Sequence, residues 1–225
     1  MTWSELLFAH WPVDPQRLAP LLPSGLTLDT RDGAAWIGVV PFQMSNIAAR
    51  CLPPLQGLSQ FLELNVRTYV TYDNKPGVWF FSLDAANRLA VRAARATFNL
   101  PYMDAKMSLS EGDLSLIDFE SERTHRNEPA AGFAAAYQPT GAPFWAQPGS
   151  LEHWLTARYC LYSANGKGNL LRGEIDHAPW LLSSANWTPR HNTMCNPLEL
   201  ELVGEPHLLF AKSIEVRAWL ARRCG

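Results

Sequence analysis

Cysteine is scarce in this sequence and follows no pairing pattern. The 225 residues contain four, Cys51, Cys160, Cys195 and Cys224, and no two of them form a Cys-x-x-Cys pair. Disulfide-rich secreted scaffolds and zinc ribbons both need closely spaced cysteines, so this spacing fits neither class. We expect reduced thiols in a cytoplasmic protein.

Long apolar runs and an excess of one charge are absent as well. No run approaches the ~20 residues of a membrane-spanning helix. The segment from Met1 to Glu5 lacks the basic start of a secretion signal. The 19 basic and 21 acidic side chains give a net charge of -2, so no broad positive field attracts nucleic acid or an anionic membrane. We predict neither partner.

Cofactor-binding motifs are missing too. Neither the Gly-x-Gly-x-x-Gly turn nor the phosphate-binding loop ending in Gly-Lys-Ser/Thr occurs, which argues against a nucleotide cofactor. His191 and Cys195 are four residues apart, but no second cluster completes a zinc pattern. We predict no metal and no cofactor.

Lysine occurs at only four positions: Lys75, Lys106, Lys167 and Lys212. A lysine that forms a Schiff base must lose its proton, which requires an apolar pocket or a neighbouring cation. Lys106 lies on a predicted strand but shares its face with Asp104, whose charge favours the protonated amine. Lys106 is therefore the alternative nucleophile, not the leading one.

The sequence is 47% apolar and 18% charged, which is the composition of a folded protein. We expect residues 1–225 to form one domain. Alternating apolar and polar positions, short apolar runs and turn signals predict strands at 26–29, 35–40, 61–72, 78–83, 103–110, 114–122, 133–137, 170–175, 207–210 and 214–220. Residues 6–13 form a short apolar stretch that ends in Trp-Pro.

Turn and cap signals complete this prediction. The segment Arg31-Asp32-Gly33 predicts a hairpin turn between the strands on either side of it. Capping residues predict about three helices, spanning residues 14–22, 84–95 and 151–162. The whole pattern favours an α+β fold with an antiparallel, barrel-like sheet.

Two stretches, 45–60 and 139–149, are predicted to be long loops because they are interrupted by proline and glycine. Their apolar side chains, Trp145 among them, lead us to expect a cover at the mouth of a pocket. The alternative is packing over an open end or a subunit contact, which would allow a homo-oligomer.

The strand at 61–72 has two different faces. One is apolar, and the other combines aromatic, polar and charged side chains: Phe61, Glu63, Asn65, Arg67 and Tyr69. Exposure to water is the ordinary state of a polar strand face. A mixed aromatic and charged face also lines barrels that hold a small ligand. If Glu63 and Arg67 are interior, they form an ion pair, a ligand clamp or both, and we expect an acid or carbonyl partner for Arg67.

Several segments, spread over nearly the whole chain, are similar to those of one known family. They are Phe8–Val13, Pro20–Leu26, Phe61–Val70, Gly77–Asp84, Leu100–Tyr102, Gly149–Glu152, Arg158–Tyr162 and His177–Trp180. Together they resemble the DUF2071 (YqjF-like) family of the acetoacetate decarboxylase-like superfamily. The resemblance implies one α+β domain with a closed or nearly closed β-barrel around a pocket, and it brings no established activity.

The superfamily also implies which residues form the site. Its decarboxylases carry a Pro-Lys-Lys motif, and the stretch here that resembles it, Leu100-Pro101-Tyr102-Met103, has neither lysine. An acid of those decarboxylases lies on a strand resembling residues 61–70, which points to Glu63.

The leading hypothesis is that the protein has a small-molecule pocket and is an enzyme that acts on a small organic acid or ketone without a Schiff base. Glu63 would be its catalytic group, and Arg67, Tyr69, Tyr102 and Trp145 would bind the ligand. The alternatives are a decarboxylase-like enzyme using Lys106 and a ligand-binding protein without catalysis.

Overall fold

The computed structural model describes residues 1–48, 60–89, 91–92, 95 and 99–224. This part of the chain forms strands β1 Thr2–Val13, β2 Thr27–Leu28, β3 Ala35–Ser45, β4 Phe61–Tyr72, β5 Lys75–Ala85, β6 Tyr102–Glu111, β7 Ile117–Arg123, β8 Gly132–Trp145, β9 Cys160–Ala164, β10 Leu170–His177, β11 Leu181–Asn192, β12 His207–Ala218 and β13 Arg222–Arg223. Its helices are α1 Pro15–Leu18 and α2 Leu151–Thr156. No helix in the described ranges is long and apolar enough to cross a membrane.

All thirteen strands belong to one sheet, in the order β13-β10-β9-β5-β6-β7-β8-β11-β12-β1-β3-β4-β2. Its pairings are antiparallel except where β5 meets β6 and β9. Two further pairings, β4 with β5 and β10 with β12, fold the sheet back on itself. The prediction of a mostly antiparallel β-fold is confirmed. The barrel-like part of the prediction stays a prediction, although the pairing of β4 with β5 links strands that lie far apart in this order.

Strand β4 is buried on both faces. Leu64 and Val66 pack into one apolar cluster with β1, β3, β7 and β8, whereas Tyr69 packs into a second cluster with Leu83 and Tyr102. Because successive side chains of a strand alternate between faces, the polar set of β4 lies on the side of the second cluster. The solvent-facing interpretation of this set is wrong for Glu63 and Asn65, which are both buried.

The predicted helices are too long. Two α-helices, α1 and α2, have complete bounds in the described part of the chain, where residues 88–89, 91–92 and 95 are helical as well. Helix α2 ends at Thr156, and residues 160–162 join β9. The helix predicted from residue 84 does not begin there, since Asp84 lies inside β5. Its carboxylate binds the Arg123 side chain instead of capping a helix. Residues 90 and 93–94 of that predicted helix lie outside the described residues.

Two connections also differ from the prediction. The turn at Asp32 and Gly33 forms, with positive φ angles of 54° and 81°, but β2 pairs with β4 and not with β3. Residues 139–145 of the predicted second loop extend β8, because the long strand β11 gives them a partner. Most of the first predicted loop, residues 49–59, lies outside the described residues.

A buried ion pair ties β5 to β7. The guanidinium of Arg123 binds both oxygens of Asp84 at 2.7 and 2.9 Å and also donates to the Ser82 hydroxyl at 3.0 Å. The two side chains are 3% and 0% exposed. Removing one charge from such a pair leaves the other without compensation in the protein interior.

We therefore expect Asp84→Asn to lower the free energy of unfolding by about 3–5 kcal/mol, measured by urea denaturation. The matched control is Asp118→Asn, because Asp118 also binds an arginine, Arg190, through both oxygens but on the surface. The control should cost less than about 1 kcal/mol. Equal losses in the two variants would contradict the structural importance of the buried pair.

Candidate functional site

Glu63 lies inside the protein with one close polar partner. Its side chain is almost fully buried, at 2% exposure, and Tyr102 Oη donates a hydrogen bond to its Oε2 at 3.0 Å. The two meet because β5 lies between their strands: Asn65 of β4 faces Leu83, and Leu83 faces Tyr102 of β6.

Burial sets the protonation state of this glutamate. Loss of water raises the pKa of Glu63 to about 8, the Tyr102 hydrogen bond opposes this rise, and the nearby Asp84 charge adds to it. Glu63 is therefore predominantly a neutral acid at pH 7. A neutral carboxylic acid can donate a proton or a hydrogen bond, which a carboxylate cannot.

Arg67 makes no ion pair with Glu63, so the predicted pair is wrong. Its guanidinium carbon lies 5.3 Å from the centre of the Phe8 ring and 5.8 Å from that of Tyr69. It donates a long hydrogen bond of 3.5 Å to Tyr69 Oη, and its buried Nε has no acceptor in the part of the chain that the structure describes. Within the described residues no carboxylate lies within 4.0 Å of it, so the expected acid partner is absent there.

Tyr69 connects Arg67 to a histidine that sequence reasoning missed. Tyr69 is fully buried, and its Oη lies 2.6 Å from His10 Nε2. Burial lowers the pKa of His10 well below its usual value, and the charges of Arg67 and His207 lower it further. Since Arg67 can only donate to the phenol oxygen, the Tyr69 hydroxyl donates its proton to Nε2 of neutral His10. His10 Nδ1 and Arg67 Nε are left without a partner among the described residues.

The approach of His10 depends on a glycine. His10 of β1 pairs with Gly38 of β3, which in turn pairs with Arg67 of β4. A Cβ atom at position 38 would lie 2.8 Å from His10 Nε2 and 3.5 Å from Arg67 Cγ. Only glycine leaves this space without moving the histidine ring.

A second arginine completes this end of the site and was also missed. Arg158 is buried, and its guanidinium carbon lies 4.9 Å from the Tyr69 ring centre and 4.4 Å from that of Trp154. Unlike Arg67 it has a counter-ion, since its NH1 donates to Asp29 at 2.6 Å. The sequence offered one signal that could have found both residues. His10 and Arg158 lie within the segments that resemble the family, and each is a polar residue among apolar neighbours.

The two polar groups of β4 are separated along the strand. Arg67 is four residues from Glu63, which corresponds to ~13 Å between their backbones at ~3.3 Å per residue. Asn65 lies between them, and its buried Oδ1 has no hydrogen-bond partner among the described residues. A mainly neutral acid and a cation therefore lie at separate points along the same face of β4.

The structure does not bring the other predicted residues to this site. Lys106 is exposed on β6 and faces Glu122 of β7. Trp145 is 62% exposed at the end of β8, where it faces Leu181. The roles predicted for Lys106 and Trp145, and the covering role of the loop at 45–60, stay predictions.

Metal ligands do not gather in the described residues: no group of three or more His, Cys, Asp or Glu side chains could hold an ion there. Cys160 and Cys195 are both buried and free, and burial raises the pKa of each thiol. A raised pKa keeps a thiol protonated and a poor nucleophile.

The relationship to known proteins agrees with this architecture. The family DUF2071, described as an uncharacterized conserved protein, matches residues 1–215. The chain belongs to the DUF2071 family. It is 47% identical over 223 residues to the uncharacterized protein YqjF of Bacillus subtilis strain 168, which covers 99% of this chain and 90% of YqjF.

Solved structures show the fold of this DUF2071 protein at lower identity. The enduracididine biosynthesis enzyme MppR with HEPES bound is similar with a TM-score of 0.69 at 13% identity, over 100% of this chain and 86% of that one. The acetoacetate decarboxylase of Legionella pneumophila is similar with a TM-score of 0.65 at 11% identity, over 100% and 88%. The predicted acetoacetate decarboxylase-like fold is thereby confirmed.

The raised pKa of Glu63 makes stability depend on pH. Between the ordinary value of 4.5 and about 8, the folded state holds a proton that the unfolded chain has lost. The stability from this group is complete below about pH 4.5 and is lost as the pH rises to about 8. The slope of this loss approaches ~1.4 kcal/mol per pH unit.

Glu63→Gln cannot ionise, so the variant should lose less stability than the parent between pH 5 and 8 in urea denaturation. Glu122→Gln removes an exposed carboxylate from a strand and serves as the control. Parallel pH curves for the parent and Glu63→Gln would show that Glu63 is already ionised in the folded protein.

Proposed function

We propose that this DUF2071 protein binds a small organic acid in its interior, with the acid group at Arg67. The observation that carries the proposal is that this arginine lacks a counter-ion in the described part of the chain. Its Nε is buried without an acceptor, and no carboxylate in the described ranges lies within 4.0 Å of its guanidinium. Arg67 as a whole is half-buried, but a buried N–H without an acceptor is costly, and a bound carboxylate supplies that acceptor.

The charges around Arg67 favour an acid with a single negative charge. Arg158 is neutralised by Asp29, and the lowered pKa of His10 makes that histidine neutral. Glu63 is held mainly in its acid form at pH 7. One uncompensated positive charge, that of Arg67, therefore remains among these groups.

Arg67 and Glu63 lie at different points along β4, so each has a separate role in this proposal. Arg67 holds the acid group, while Asn65 and the neutral Glu63 meet a carbonyl or hydroxyl further along the ligand. Glu63 in its acid form donates a proton to such an oxygen, and the raised pKa places this proton near neutral pH. We propose an enzyme of this general acid type, which needs no Schiff base.

Structural neighbours guide the choice of ligands for testing. MppR, which shares the fold, was also solved in complex with pyruvate, and another neighbour is named an acetoacetate decarboxylase. Pyruvate and acetoacetate are both small acids with one carboxylate, which agrees with the charge balance at Arg67. Acetone carries the ketone without the acid, so it separates the two features.

We expect pyruvate or acetoacetate to raise the melting temperature of the protein and acetone to leave it unchanged, because only the acids neutralise Arg67. Arg67→Gln should abolish the shift. Arg190→Gln removes an exposed arginine of β11 and should keep it. A shift caused by acetone, or one that survives in Arg67→Gln, would contradict recognition of the acid by Arg67.

Borohydride trapping separates this proposal from the lysine-dependent alternative. Reduction of a Schiff base leaves a covalent adduct on the lysine, which mass spectrometry of proteolytic peptides locates. We expect no adduct on Lys106 after treatment with acetoacetate and borohydride, because the exposed amine has no apolar pocket to deprotonate it. An adduct on Lys106 that is absent from Lys106→Arg would favour the decarboxylase-like alternative.

A further inference from the structure

An open depression of about 890 Å³ lies beside the pairing of β10 with β13. Three arginines line it, Arg172, Arg222 and Arg223, together with Tyr72 and Trp219. Two carboxylates, Asp73 and Glu174, also line it, so basic side chains outnumber acidic ones there. None of these residues belongs to the cluster around Arg67. Small-molecule sites in proteins commonly have volumes of ~300–1,000 Å³, so the depression has room for a ligand larger than a single ion.

Only one of the three arginines of this depression, Arg172, binds a carboxylate in the described part of the chain. Arg172 and Arg222 are directly opposed across the two strands, and like charges in that position repel. Arg172 binds Glu174 at 2.8 Å, but the same carboxylate also binds Lys75. Within the described residues, Arg222 and Arg223 have no carboxylate within 4.0 Å. The strand pairing therefore concentrates positive charge that an anion would relieve.

A flat apolar surface adjoins these charges. The side chain of Trp219 is 49% exposed, and the neighbouring Leu220 is also exposed. Both line the depression. An exposed indole ring offers a stacking surface for another planar ring, and burying it would remove apolar area from water.

We propose that this depression binds a phosphorylated small molecule that carries a planar ring, as a nucleotide does. The three guanidinium groups hold the phosphate oxygens, for which their paired N–H donors are suited, and the ring stacks on Trp219. The chain lacks both glycine-rich phosphate-binding motifs, so recognition rests on these side chains and not on a backbone loop. This site is independent of the organic acid proposed at Arg67.

Three probes separate the contributions of ring and phosphate: ADP, ribose 5-phosphate and adenosine. By calorimetry we expect ADP to bind most tightly, ribose 5-phosphate more weakly and adenosine not at all. ADP should quench tryptophan fluorescence in the parent and not in Trp219→Phe, which isolates one ring among the nine tryptophans. Higher salt should weaken ADP binding, because the contact is ionic.

The variant Arg222→Gln with Arg223→Gln should bind ADP at least about tenfold more weakly, because two charge-assisted contacts are lost. Arg190→Gln, a remote exposed arginine, is the control and should bind ADP like the parent. Thermal melts show that each variant is folded before its affinity is compared. The Arg67→Gln variant should also keep ADP binding, which distinguishes this site from the interior one.

Several outcomes would overturn the proposal. The first is that ADP does not bind the parent saturably in the millimolar range, and the second is that ADP binds equally to the double arginine variant. Equal affinities for adenosine and ADP would show that phosphate is not recognised. Binding to phosphatidylserine vesicles that requires both arginines, without binding of ADP, would assign the site to a lipid headgroup instead of a soluble ligand.

Discussion

The burial of β4 on both faces is the constraint on which the rest of the structure depends. Its apolar face completes the cluster that contains Leu64 and Val66, and its polar face is enclosed by β1, β5 and β6. A polar side chain in such a position must find a partner or change its protonation state. Glu63 is held mainly as an acid, Tyr69 binds His10, and Arg67 has a neutral hydroxyl as its hydrogen-bond partner.

The arginines of the protein separate into groups by their counter-ions. Arg123 and Arg158 are buried with carboxylates at 2.7 and 2.6 Å, so they stabilise the fold and carry no net charge to a ligand. Arg67 is half-buried without one in the described part of the chain, and Arg222 and Arg223 are exposed without one there. Because the net charge of the whole chain is only -2, these local imbalances matter more for binding than the overall field does.

The fold could be predicted further than the site. The strand alternation of residues 61–72 and the turn at Asp32-Gly33 are local signals, and both occur as predicted. The pairing of β2 with β4 and the extension of β8 to Trp145 were not predicted, because each depends on a strand distant in the sequence. The helix predicted from Asp84 starts later for the same reason: Arg123, 39 residues away, binds the Asp84 carboxylate within β5, and the described residues are helical only from Arg88.

The sequence by itself determined that β4 carries Glu63 and Arg67 on one face, because the strand period places alternate residues on the same side. It also determined the family, through segments distributed over the whole chain. Only the tertiary structure decided that Glu63 binds Tyr102, and that Arg67 lies with Tyr69 and His10. These residues come from three different strands, β1, β4 and β6, so their meeting depends on sheet register, which no local pattern encodes.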